Sequence, residues 1–502
     1  MARRTTHSSN SRNRVGHKSS ASPLIIVTLC VVALSALAAT VWFLTRNDGY
    51  IFQRAHLDKY VEMTRESHLL DNGASVYLDM SDGMNCAYRS SDSRNILRSI
   101  IDKLAANNAI EFFRLSEEKI TALDDYSHTQ LYNYMLNPNS YNMQRAPIEK
   151  TLKQIVEKQQ PALVMSDLEE YKGGVIERAA YAKRYFIDWL AQGFNIILYK
   201  WNFSEGNKEK KMFIAVFDDN ANRLYSLVDN AISLIEAPVD KYILGSRDFA
   251  YPICTNYPSL KQGGNYHNEK GFDAVTAVMD RGGNEDYICY AKPYATATGV
   301  VGQFAPLDTS LGTLAEYYPL GVSWGDAIVN SKQLSEPGVP DDIKYTHLLR
   351  NLFVDLNAQS GFTINDIEIR VFDMQRTMEQ IALQGDSIIP ADIKGINNPE
   401  VNMVLTAGMY PSELVPDGWK EICVDFDEKF DGTFIGNTAS TNLLRANIVI
   451  SKAIPEVQQA IEFFGWENNL SLANSVKETL TASTSNPQGR ILYTYYLKTI
   501  TE

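Results

Sequence analysis

Cysteine is scarce in this chain. Only five occur in 502 residues: Cys30, Cys86, Cys254, Cys289 and Cys423. They lie too far apart for a disulfide scaffold or a zinc site, and they read as buried thiols. Histidine is equally thin. His7, His17, His56, His68, His128, His267 and His347 include no His-x-x-x-His or Glu-x-x-His pair, which excludes the usual zinc hydrolase pattern. Gly263-Gly264 and Gly282-Gly283 are turn glycines, far short of a phosphate loop. Basic residues are outnumbered, 47 Lys and Arg against 60 Asp and Glu. Six of the basic residues and none of the acidic ones fall in 1–46, so the remainder is more acidic than the whole. That balance argues against nucleic acid and anionic lipid as partners.

Long apolar runs are missing except for one. Residues 23–44 carry no charge and are almost wholly apolar. As a helix they are long enough to span a bilayer. Arg3, Arg4, Arg12, Arg14 and Lys18 precede them. The positive-inside rule therefore predicts a single-pass signal-anchor. It places the N-terminus in the cytoplasm and the bulk outside it, in the periplasm or on the cell surface. A signal peptide cleaved after Ala36-Leu37-Ala38 is the alternative. The apolar run continues past that point to Leu44, which favours an uncleaved anchor.

The expected organisation follows from composition and periodicity. Residues 1–22 read as a disordered basic tail, and 46–71 as a stalk. Over 72–245 strand and helix alternate, with strands expected at 74–78, 109–114, 162–165, 195–201 and 211–217. Helices are expected at 93–106, 147–158, 176–191 and 221–235. This cadence predicts an α/β fold, a doubly wound and mostly parallel sheet. From 246 to 502 the alternation stops, and strands such as 367–372, 422–426, 446–450 and 491–497 point to a β-rich or α+β region. Helices are expected there at 343–357, 455–464 and 471–482.

Two strand ends carry the chemistry. Val76-Tyr77-Leu78 ends in Asp79-Met80-Ser81-Asp82-Gly83. Ala162-Leu163-Val164-Met165 ends in Ser166-Asp167-Leu168-Glu169-Glu170. Oxygen ligands delivered to the carboxyl edge of a sheet suit magnesium better than zinc. The acidic pair Glu169-Glu170 reads as a solvated run.

Residues 72–245 resemble a von Willebrand factor A-type domain. The family's first loop is Asp-x-Ser-x-Ser, which Asp79-Met80-Ser81-Asp82-Gly83 matches except at Gly83. Its third loop is an aspartate after an apolar strand, matched by Ser166-Asp167. The threonine of its second loop is missing near Arg145-Ala146-Pro147. The resemblance implies a Rossmann-like sheet with a metal-ion-dependent adhesion site at its upper rim. It implies Mg2+ touching the Ser81 hydroxyl directly, with Asp79 and Asp167 acting through water. It also implies partner contact through Asp82, Gly83, Arg145 and Ser166. Because two contacts are lost, Asp82, Ser140, Ser166 or a water would compensate, or Arg145 or another base would instead fill the site with its own charge.

The resulting expectation is a membrane-anchored, extracytoplasmic protein-interaction component of an envelope or secretion-type assembly, bound to another envelope protein. A second reading gives the binding to 246–502, with a glycan or peptide as ligand and the A-type domain as scaffold. A metal-dependent hydrolase using Asp79 and Asp167 is the third. An aspartyl phosphatase would want Asp-x-Asp, where this chain has Ser81, so no catalytic residue is assigned.

Overall fold

The computed structural model describes residues 54–64, 70, 73–107, 109–219, 222–235 and 238–254. It further describes 272–279, 286–288, 293–296, 299–302, 322–323, 349–401, 405–410, 418–426, 443–466 and 469–501. The chain is a mixed α/β protein with one large mixed sheet and separate β-rich sheets.

Strand β1 (Ala74–Asp79) is buried at every position, the mark of a strand covered on both faces. It lies between β2 (Ile110–Ser116) and β4 (Ala162–Ser166) and is parallel to both. Strand β3 (Lys119–Ala122) pairs antiparallel with β2. A small separate hairpin, β5 (Tyr171–Lys172) and β6 (Val175–Ile176), follows β4. The sheet is completed by β7 (Asn195–Glu205), β8 (Lys208–Asp218) and β9 (Asp240–Leu244), in the order β3-β2-β1-β4-β8-β7-β9.

The expected mostly parallel sheet is corrected by this half. β8 runs antiparallel to β4, and β7 runs antiparallel to both β8 and β9. The physical reason is the connection. Glu205 pairs with Lys208 across Gly206-Asn207, and Gly206 has φ +62°. A two-residue turn closes a hairpin, whereas a parallel return needs a crossover of a dozen residues or more.

Alternate side chains of the sheet enter two cores. Val76, Leu78, Leu163 and Met165 face α1 (Asp82–Arg89), α2 (Ser91–Ala105) and α6 (Arg223–Ser233). A third helix on the way to β4 is α3 (His128–Leu136), opened by a capping box at Ser127 and Gln130. Tyr77, Val164, Ile196 and Leu198 face α4 (Ile148–Lys158) and α5 (Lys183–Leu190). The expected helix over 176–191 begins only at Lys183. Its first turns are replaced by a loop in which Glu177 accepts bonds from the Arg178 and Ala179 amides.

The second core continues into the C-terminal half. It holds α7 (Val457–Phe464) and α8 (Ser471–Leu480), both expected from the sequence. Phe464 stacks on Phe213 of β8 with ring centres 5.9 Å apart. Ser475 accepts from the Ala182 amide, and Lys183 pairs with Glu478 at 2.6 Å. The long antiparallel pair Leu444–Pro455 and Phe362–Asp373 forms the fifth and sixth strands of a seven-stranded sheet. The helix expected over 343–357 is a strand, Leu349–Asp355, antiparallel to Trp419–Phe426. Leu352, Phe353 and Val354 are all buried, so the alternation that marks a strand is absent there.

The membrane reading is also corrected. Residues 23–44 lie outside the described residues. Among the described residues no helix is long and apolar enough to cross a membrane. The longest described helix, α2 with 15 residues, is about 22 Å long and bears a charged face. A span needs about 20 apolar residues. The signal-anchor and the extracytoplasmic localisation built on it are therefore withdrawn.

Candidate functional site

The two predicted strand ends meet. β1 and β4 are adjacent and parallel, with Leu78 opposite Met165, so Asp79 stands beside Ser166 at the carboxyl edge. Strand alternation puts both on the face of Tyr77 and Val164. The Ser166 hydroxyl donates to Asp79 Oδ2 at 2.6 Å. The Ser81 amide donates to Asp79 Oδ1 at 2.9 Å. Asp79 is 3% exposed and Asp167 5%. Ser81 is buried and pairs with Met143 in a short parallel bridge, which brings the segment before α4 against the β1 end. Asp82 is exposed at the start of α1, its amide bonded to the Met143 carbonyl at 2.7 Å.

The loop after β4 turns back sharply at Leu168, which has φ +55° although it is a bulky buried residue. Side chains and a carbonyl hold this costly conformation. Ser166 Oγ accepts from the Leu168 amide, Asp167 Oδ1 accepts from the Glu169 amide, and the Leu168 carbonyl accepts from Tyr181. The turn drives Glu169 inward to 5% exposure, so the solvated reading of Glu169-Glu170 is corrected. Glu170 is buried too, its carboxylate accepting from the Glu149 amide at the start of α4. Glu169 accepts from Tyr171 at 2.9 Å and from Asn469 at 3.4 Å.

A lysine stands among these carboxylates. β8 overshoots β4: Ser166 pairs with Phe213, so residues 208–212 project past the rim. This carries Lys210 to the site. Its Nζ is 3.7 Å from Asp167 Oδ2 and 3.7 Å from Glu169 Oε2. Gly83 faces the same group, and a Cβ there would lie 3.5 Å from Lys210 Nζ and 3.8 Å from Asp167 Oδ2. Arg145, the first sequence candidate for a filling charge, lines the same cleft but is paired with Glu118 at 2.7 Å.

The assembled site is a cleft of about 470 Å³. Its floor is Asp79, Ser81, Asp167, Glu169 and Lys210, and its walls include Ile176 and Trp466. Sequence reasoning missed Glu169, Tyr171, Lys210, Trp466 and Asn469. Lys210 and Asn469 reach the rim only through tertiary contacts, so no local pattern marks them. Ser140, named as a substitute ligand, lies in a short 3-10 turn at 138–140 and is not among the lining residues.

Burial raises the Asp79 carboxyl above the ordinary aspartate value, against hydrogen bonds from Ser166 and Ser81 that pull it down. Burial raises Asp167 well above that value, with Glu169 and Asp79 adding to the effect and Lys210 opposing it. A carboxyl whose folded value is raised holds its proton more tightly in the folded state. Its effect on stability is therefore unfavourable once pH exceeds the unfolded value and grows as pH rises toward the folded one. Asp167→Asn is accordingly expected to raise the melting temperature at pH 8 and to leave it unchanged near pH 4. Differential scanning calorimetry at the two pH values checks this. A lower melting temperature at pH 8 would show that the Lys210 attraction outweighs desolvation.

Magnesium needs near-octahedral oxygen ligation at about 2.0–2.1 Å. The donor set here fits it poorly. Gly83 supplies no hydroxyl, the second loop supplies no threonine, and an ammonium already faces two of the carboxylates. Among the described residues no group of three or more His, Cys, Asp or Glu side chains could hold a metal ion. No family model, curated protein or solved structure matches this chain.

Proposed function

We propose that this chain is a protein-recognition component whose recognition surface is the cleft at the carboxyl ends of β1 and β4. The observation that carries the reading is the joining of Asp79, Ser166 and Asp167 across two adjacent parallel strands, beneath an open cleft. Clefts at this edge of a sheet are where open α/β sheets bind ligands. The domain resembles the von Willebrand factor A type in having Asp79-Met80-Ser81 and Ser166-Asp167 at the rim of a sheet with helices on both faces. In this reading the rim works without magnesium, and Lys210 supplies the balancing positive charge. The C-terminal helices α7 and α8 belong to the surface, because Trp466 and Asn469 between them wall the cleft.

Val175 is 66% exposed at the cleft mouth and Leu234 is 77% exposed outside the lining. A photo-reactive amino acid at position 175 is expected to crosslink a partner in cells. The crosslink should vanish in the Asp79→Ala, Asp167→Ala double variant, and the same probe at position 234 should give none. Equal crosslinking from both positions, or insensitivity to the double variant, would remove the cleft from recognition.

A further inference from the structure

We infer that the cleft accepts a basic side chain, arginine or lysine, presented by the partner protein. This rests on the recognition reading above and names the partner's chemistry. The floor holds three buried carboxylates, Asp79, Asp167 and Glu169, and a single ammonium, Lys210. Arg145 adds little positive charge, because Glu118 holds it at 2.7 Å. The lining as a whole has five acidic residues against three basic ones. The site is therefore short of positive charge, and burial makes each missing cation costly.

The walls match the rest of such a side chain. Val175, Ile176 and Trp466 give the cleft apolar and aromatic surface above the carboxylates. An arginine has an apolar stem and a planar cationic head, and its head both stacks on aromatic rings and forks onto carboxylates. A partner carboxylate would instead meet three carboxylates, with one lysine to share. The geometry thus reverses the partner charge that a magnesium-filled rim would select.

The test uses the full chain and N-acetyl-L-argininamide as the probe, by isothermal titration at pH 8. A ligand of this size in such a site is expected to bind with a dissociation constant of about 1 mM. Glu169→Gln and Asp167→Asn keep the shape of the floor and should each weaken binding by roughly 10-fold. N-acetyl-L-glutamate should show no saturable binding. Absence of saturation by the argininamide up to about 20 mM, or equal binding in both variants, would overturn the inference. Glutamate binding that depends on Lys210 would also overturn it, while leaving the cleft as a recognition site. Argininamide binding without any crosslink from position 175 would instead remove the protein partner and keep the cation pocket.

Discussion

Lys210→Met is expected to cost about 2–3 kcal/mol of folding stability at pH 8. The lysine is only 15% exposed and faces two carboxylates that are themselves buried. Removing it leaves Asp167 and Glu169 with hydrogen bonds but without this cation, and the floor can then only take up protons. The sign with pH follows. Asp167 already titrates above its ordinary range with Lys210 in place, and loss of the lysine pushes it higher. The folded variant thus binds protons more tightly than its unfolded chain does. The deficit against the native protein should shrink as pH falls from 8 toward 4. Lys210→Arg should recover most of the loss. Urea unfolding of the three proteins across this range measures it. A loss that stays constant with pH would mean that Lys210 contributes through packing of its stem, not through charge.

Phe464→Ala should cost more, about 3–5 kcal/mol, the usual range for removing a fully buried phenylalanine. Phe464 is fully buried between Phe213 of β8 and Tyr242 of β9, whose ring centres lie 5.9 and 5.0 Å away. Its loss frees the C-terminal end of α7, which Lys211 also grips through the carbonyls of Glu462, Phe463 and Gly465. Trp466 and Asn469 follow directly, so the cleft wall should loosen with the core. The expected result is a lower melting temperature together with faster amide exchange at Gly465, Trp466, Asn469 and Leu470. Loss of stability with unchanged exchange there would separate the α7 core from the cleft.

Much of the sheet was written locally. β1 and β4 are apolar runs that end abruptly in oxygen-bearing side chains, and an abrupt end of this kind is visible without any partner strand. The pairing of Asp79 with Ser166 follows once those strands are adjacent. The β7–β8 hairpin was also within reach. The two expected strands left only 202–210 between them, too short for a parallel crossover, with Gly206 at its middle. Lys210 was not legible, because its role depends on β8 running past the end of β4. Glu169 was misread for a related reason. An acidic pair normally stays in water, and only the left-handed turn at Leu168 takes it inside. The strand Leu349–Asp355 looked helical because its apolar residues are consecutive, a pattern that burial on both faces produces in either structure.

In the proposed function an ammonium group, not a metal ion, balances the carboxylates at this rim. A crystal structure grown in high magnesium chloride tests it most directly. The expected density shows Lys210 reaching Asp167 and Glu169, with no six-coordinate ion beside Ser81. An octahedral ion bonded to the Ser81 hydroxyl at about 2.1 Å, with Lys210 turned away, would contradict the claim.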